Sequence, residues 1–312
     1  MTPAAPVLLP PSQRPPSRVA LRRAEDYDGR LTALVYETLA EFRLPVQGRT
    51  VLLKPNLVQA DPLSVINTHP AVIAAAREAF LRLGAARVLI GEGPGHERDT
   101  AGILDAIRFR DYVGAPAELF VDLNEDEVRA VRLRTHASRL KELFLPVTVL
   151  AADFVVSMPK MKTHHWAGVT LSMKNMFGIV PGSCYGWPKN LLHWAGIERS
   201  ILDINSTVRP DFAIVDGIVG MEGNGPIQGR PKRAGVLIFG DDPVAVDATA
   251  ARLMGLMPER IPHLAQAGLL LGHLQPQKIQ MLGEPLEPLR TPFEVLAPFR
   301  RLVDESIREV RQ

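Results

Sequence analysis

Between Asp153 and Gly182 the chain reads DFVVSMPKMKTHHWAGVTLSMKNMFGIVPG, which places Lys160, Lys162, His164, His165, Lys174 and Asn175 within sixteen residues. Three ammonium groups and two imidazoles cannot share a dry interior, because each unpaired ion costs several kcal/mol. They must face water, pair with carboxylates or receive an anion. Trp166, Val169, Leu171, Met173, Met176 and Phe177 are interleaved with them and tie the segment to a packed body. Cations anchored on apolar side chains make a rigid anion pocket. Lysines crowded together also push one another towards the neutral amine, the form that acts as a base.

Further polar motifs follow apolar runs elsewhere. Val51 to Leu53 leads into Lys54-Pro55-Asn56, and Val88 to Ile90 into Gly91-Glu92-Gly93-Pro94-Gly95-His96. Phe154 to Val156 precedes the lysine cluster, Phe212 to Val215 precedes Asp216-Gly217, and Val236 to Phe239 precedes Gly240-Asp241-Asp242-Pro243. Ligands of open α/β sheets bind beyond the carboxyl ends of the strands. If these strands are parallel, all five motifs lie along one rim. Asp216 to Pro226 is rich in glycine and can expose backbone N–H groups to an anion. Its spacing matches neither the phosphate loop nor the dinucleotide fingerprint. Glu222 is a carboxylate partner for a nearby lysine. Plainer roles stand beside these: a turn and helix cap at Gly240 to Pro243, a turn former at Asp216, a solvated strand end at Lys54, and a structural or exposed histidine at His69 or His193.

The elements that must position these residues alternate between strand and helix. Apolar residues recur at helical spacing from Tyr27 to Phe42, and helices are also predicted over Pro70 to Leu83 and Val244 to Leu256. Asp242 and Pro243 suit the N-cap and first turn of the latter. Val19 to Leu21 opens a first strand, and Glu118 to Leu123 with Val128 to Leu133 form a hairpin-like pair. Residues 1–17 read as a Pro-rich arm, Gly182 to Pro188 as a flexible loop, and the last twenty residues as an amphipathic helix broken near Pro298. The pattern implies an α/β fold with a largely parallel sheet flanked by helices, over residues 18–312 as one domain or two closely packed lobes.

Composition narrows the partners. Lys and Arg number 36 against 34 Asp and Glu, a net charge of +2, which argues against a general grip on nucleic acid. Cys184 is the only cysteine, so the chain cannot by itself hold a cysteine-ligated iron–sulfur cluster or an intramolecular disulfide. No apolar stretch reaches bilayer-spanning length, and the N-terminus lacks the pattern of a signal helix. A cytoplasmic location is expected.

The motifs LLKPN, EGPG, MPKMKTHHWAGVTLSMKNMFG, VDGIVGMEGNGP and DPVAVDATAARLMG closely resemble the domain of unknown function 362 family, in family order from about Val51 to Gly272. Longer members resemble fusions to ferredoxin-like modules, which implies a separate ferredoxin-like partner for any redox role here. His164-His165-Trp166-Ala167-Gly168 followed by Lys174 is similar, more distantly, to the nickel-pincer lactate racemase family. That resemblance implies a cofactor-bearing or substrate-facing Lys174, a proton-transfer role for His164 and a metal-binding role for His193. Thr68-His69-Pro70 is similar to that family's early Thr-His motif, and Val169 to Met173 replace its glycine-rich run.

Taken together, the expected function is an enzyme acting on a small carboxylate- or phosphate-bearing substrate, racemase- or isomerase-like or redox. Lys174, His164 and Lys162 are the candidate catalytic residues. Lys54, Asn56, Lys160, His165, Asn175, Gly223 and Asn224 are candidates for substrate binding. Glu92, Asp216, Glu222 and His193 are candidates for a divalent metal, and a nickel-pincer nucleotide is the implied organic cofactor. A redox accessory protein and a non-catalytic anion-binding module are the alternatives. Were residues 164 to 174 one continuous helix, His164 and Lys174 would stand about 15 Å apart and could not act on one atom. Gly168, Val169 and Thr170 argue against that helix.

Overall fold

The computed structural model describes residues 13–63 and 65–308. Twelve strands occur among them: β1 (Ser17–Arg23), β2 (Thr50–Pro55), β3 (Arg87–Glu92), β4 (Phe120–Asp122), β5 (Val128–Arg132), β6 (Glu142–Pro146), β7 (Phe154–Met158), β8 (Lys160–His164), β9 (Gly168–Thr170), β10 (Phe212–Glu222), β11 (Arg230–Gly240) and β12 (Ile279–Gly283). Ten of them form one mostly parallel sheet in the order β12-β1-β11-β10-β7-β2-β3-β4, with β8 pairing β10 and β9 pairing β8. β5 and β6 form a separate antiparallel pair.

Alternation along the strands divides the core between the two faces of this sheet. Val51, Leu53, Val88, Ile90, Phe154, Val156, Phe212 and Ile214 pack on one face against Val35, Leu39 and Phe42 of helix Arg30–Phe42 and against Val72, Ala76 and Phe80 of helix Pro70–Arg82. Leu52, Leu89, Val155, Ala213 and Val215 pack on the other against helices Ile197–Thr207, Pro243–Leu253 and Pro262–Leu270. Strands covered on both sides read as unbroken apolar runs, which is why these four stand out in the sequence. Helix Pro243–Leu253 starts as its cap residues predict: Asp242 Oδ1 accepts from Val244 N at 2.9 Å, and Pro243 occupies the first turn.

Several expectations are corrected. β11 runs antiparallel to both β10 and β1, so Gly240 to Pro243 leaves the sheet at the end opposite to the other four motifs. Phe120–Asp122 pairs in parallel with β3, and Val128–Arg132 pairs with β6, so no hairpin joins them. Asp216 to Glu222 is ladder rather than an N–H-lined loop, since β10 continues to Glu222 with a bulge between Gly217 and Val219. Within Gly182 to Pro188, residues Gly182–Tyr185 form a short helical turn. In place of one C-terminal helix there is a 3-10 segment, Ala297–Leu302, and a short turn, Glu305–Arg308. Residues 1–12 of the expected Pro-rich arm and residues 309–312 lie outside the described residues, and Ser17 begins β1.

Candidate functional site

The carboxyl ends of β2 and β3, the β8–β9 hairpin and the segments after them enclose a cavity of about 590 Å³. The hairpin answers the question of convergence. β8 carries Lys160, Lys162 and His164 at alternate positions and therefore on one face. The chain then turns, returns as β9 and enters the helical turn Ser172–Asn175, so that His164 and Lys174 line the same cavity. Gly168 sits in this reversal at φ +80°, a left-handed conformation that suits glycine.

Lys54, Lys162, Lys174 and Lys189 all reach the cavity. Lys54 Nζ donates to Glu92 Oε2 at 2.5 Å, Asn175 Oδ1 at 2.8 Å and Pro55 O at 2.8 Å. Glu92 also accepts from Leu57 N and Gly93 N, and among the described residues it is the only carboxylate lining the cavity. Lys162 Nζ donates to Ile66 O at 2.7 Å and more distantly to Pro226 O, and Lys189 Nζ donates to Gly93 O at 2.6 Å and Phe177 O at 2.9 Å. Lys174 Nζ makes no hydrogen bond among the described residues and lies 3.9 Å from the centre of the Phe177 ring. Burial lowers the pKa of all four; for Lys174 and Lys189 it falls to about 7, and for Lys174 the neighbouring Lys54 ammonium adds to the effect.

Hydrogen bonds also distinguish the imidazoles. His164 Nδ1 accepts from Trp166 N at 3.0 Å and Ala167 N at 3.2 Å, so the neutral ring carries its proton on Nε2. Burial, then Lys174 and the other cations, hold its pKa well below the usual value. His164 is therefore arranged as a neutral ring with its N–H on Nε2, and this arrangement leaves the proton-transfer role expected from sequence open. His193 has the opposite arrangement. Its Nδ1–H donates to Lys189 O at 3.1 Å, leaving a lone pair on Nε2, and burial followed by Lys174 lowers its pKa to about 4. His165 Nδ1–H donates to Gly225 O at 2.8 Å. The rings of His164, His165, Trp166, His193 and Phe177 form a continuous series of contacts with centroid separations of 4.8–5.8 Å.

The turn that carries Lys174 is held from below. Asp247 accepts from Ser172 N at 2.7 Å, Ser172 Oγ at 2.5 Å and Met173 N at 2.9 Å. These contacts satisfy N–H groups that a helical turn leaves open. Burial raises the Asp247 pKa to about 7.

Not every sequence candidate gathers here. Lys54, Asn56, Lys162, His164, His165, Lys174, Asn175, Glu92, His193 and Asn224 line the cavity; Lys160, Asp216, Glu222 and Gly223 do not. Lys160 is neutralised by Asp216 at 2.7 Å, within a buried network that includes Tyr27 Oη. Glu222 faces Arg230 and Lys232 of β11 at 3.8 and 3.6 Å. Gly223 bonds to Glu294 and Thr163. Asn175 is a strut rather than a ligand, because its carboxamide is used by Lys54 and Ser157. Among the described residues no three His, Cys, Asp or Glu groups cluster to hold a metal ion. A bare divalent cation does not fit a wall of amines whose one carboxylate is already paired. Lys189, Trp166, Phe177 and Thr170 line the cavity although none was a candidate for binding or catalysis. Lys189 had no sequence signal, since it stands alone in an irregular segment.

Residues 51–252 match the family model described as domain of unknown function (DUF362). The chain belongs to that family. A thylakoid-associated protein of Synechocystis sp. is 29% identical to this DUF362 chain over 263 residues, covering 79% of the chain and 77% of the relative. Two solved structures are similar at low identity. The lactate racemase apoprotein of Thermoanaerobacterium thermosaccharolyticum has a TM-score of 0.47 and 13% identity, over 78% of this chain and 57% of that one. A Thermotoga maritima protein has a TM-score of 0.41 and 12% identity, over 70% and 56%. The DUF362 chain thus spans little more than half the length of either solved chain. No helix among its described residues is long and apolar enough to cross a membrane.

Proposed function

We propose that this protein is an enzyme acting on a small carboxylate- or phosphate-bearing substrate in a reducing, cytoplasmic compartment, by proton transfer at Lys174. One observation carries the reading: Lys162, Lys174 and Lys189 approach a single cavity, and none is neutralised by a carboxylate. An anion would supply the missing charge. With a pKa of about 7, the Lys174 amine is close to half protonated at neutral pH and serves equally as acid and base. His164 Nε2–H would donate to a developing oxyanion, as neutral donors aimed at such charge do. The His193 Nε2 lone pair would accept a proton near the same Phe177 ring.

The test is proton exchange. A panel of small 2-hydroxy, 2-oxo and phosphorylated acids is incubated with the protein in D2O and followed by NMR. Loss of a substrate C–H signal, reduced about 10²–10⁴-fold in Lys174→Met, supports the reading. Exchange unchanged in that variant removes Lys174 from the chemistry. Saturable anion binding without exchange would identify a binding module, and exchange or reduction appearing only with an added ferredoxin-like protein would favour the redox role.

A further inference from the structure

Hydrogen bonding sets one of the four cavity lysines apart. Lys54, Lys162 and Lys189 are each tethered by carbonyl, carboxamide or carboxylate oxygens. Lys174 Nζ has no such tether among the described residues; it lies over the face of Phe177, and the side chain is partly exposed where it lines the cavity. Its backbone is nonetheless fixed, because Asp247 holds Ser172 and Met173. The result is a rigidly mounted amine with no competing acceptor.

A lysine amine becomes a nucleophile towards carbonyl carbon when burial and neighbouring cations keep it neutral. Both conditions hold at Lys174, where burial comes first and the Lys54 ammonium second. The surroundings suit a carbonyl next to a carboxylate. Lys162 and Lys189 each have donor capacity beyond the two oxygens they meet. His164 has an Nε2–H to offer an oxygen that gains charge. Leu57, Phe177 and Ile227 supply apolar wall.

We propose that Lys174 captures the carbonyl carbon of a small 2-oxo carboxylate as an imine, with Lys162 and Lys189 holding the carboxylate and His164 Nε2–H donating to the carbonyl oxygen. This rests on the anion-site reading above and names its substrate class. The neutral amine's lone pair forms the C–N bond while the carbonyl π pair moves to oxygen. That oxygen takes up the proton released by nitrogen, then a second proton from solvent hydronium, and leaves as water. The product is a protonated imine. In sum, one amine, one carbonyl and one proton give one iminium and one water, with no oxidation or reduction. The iminium adds one positive charge at the Lys174 nitrogen, beside the bound carboxylate, which offsets it.

The experiment uses the full chain with pyruvate as probe and borohydride as trap, followed by peptide mass spectrometry. Reduced adduct is expected at Lys174 at least tenfold faster than at the exposed Lys141 and Lys278. Propionate, which has the carboxylate but no carbonyl, should slow the labelling by competition. Calorimetric titration of both acids runs in parallel. Labelling of Lys174 no faster than of Lys141, with pyruvate still bound, overturns the imine and leaves the anion site standing. Failure of both acids and of inorganic phosphate to bind overturns the anion site itself. Lys174→Met should lose the adduct altogether and bind propionate more weakly, through Lys162 and Lys189. Should that variant not fold, competition by propionate in the native chain gives the same decision.

Discussion

Glu92 determines how much positive charge the cavity keeps. Its carboxylate neutralises Lys54 and accepts two backbone N–H groups, so replacing it leaves a buried ammonium without a counter-charge. Glu92→Gln should lower unfolding free energy by about 3–5 kcal/mol, read from the urea midpoint with an unchanged slope. Gly178 guards the same pair from the other side. A Cβ there would collide with Glu92 Oε1 and Lys54 Nζ, so Gly178→Ala should be destabilising, and in the Glu92→Gln background its further cost should be smaller, as expected of coupled neighbours. The sequence revealed most of the charged groups around the cavity, because Lys160, Lys162 and His164 follow a strand period next to Lys174. It could not reveal their roles. Whether His164 donates or accepts depends on the backbone N–H groups of Trp166 and Ala167, and whether Lys160 is available depends on Asp216, which lies fifty-six positions away.

The short turn Ser172–Asn175 has too few residues to be stable alone, and Asp247 on helix Pro243–Leu253 supplies what it lacks. Asp247→Asn keeps the shape but weakens three hydrogen bonds. A loss of about 1–3 kcal/mol is expected on urea denaturation, with anion affinity falling by calorimetry as Lys174 loses its mounting. Element identity was legible wherever strands are buried on both faces, since Val51 to Leu53, Val88 to Ile90 and Phe212 to Val215 are continuous apolar runs. Direction was not. β11 has the same apolar composition as its neighbours, and only its connection from β10 through the turn after Glu222 makes it antiparallel. The pairing of Val128–Arg132 was equally hidden, because its partner, Glu142–Pro146, is a short apolar run after a single glutamate in a stretch without turn signals.

Burial lowers the pKa of several basic groups among the described residues. His69 and His193 are lowered to about 4 and His263 to about 3, from 6.5, while Lys174 and Lys189 are lowered to about 7 from 10.5. A base whose folded pKa is depressed binds fewer protons in the folded state, so stability rises with pH between the two values. The histidines contribute that slope from about pH 4 to 6.5 and the lysines from about 7 to 10.5. Asp247, raised to about 7 from 3.8, opposes the histidines alone. The urea midpoint should therefore keep climbing from pH 5 to pH 9, whereas a fall above pH 7 would mean that these amines are charged when folded. Added phosphate should raise the melting temperature more at pH 6 than at pH 9. The pairing of Glu92 on the cavity wall has a further, kinetic consequence. Because Glu92 is masked by Lys54, an approaching anion meets no repulsion at close range, and the field of the remaining ammonium groups can draw it in from a distance. That attraction extends roughly 8 Å at physiological ionic strength, so the dissolved salts around the protein would govern how quickly the cavity fills far more than how slowly it empties.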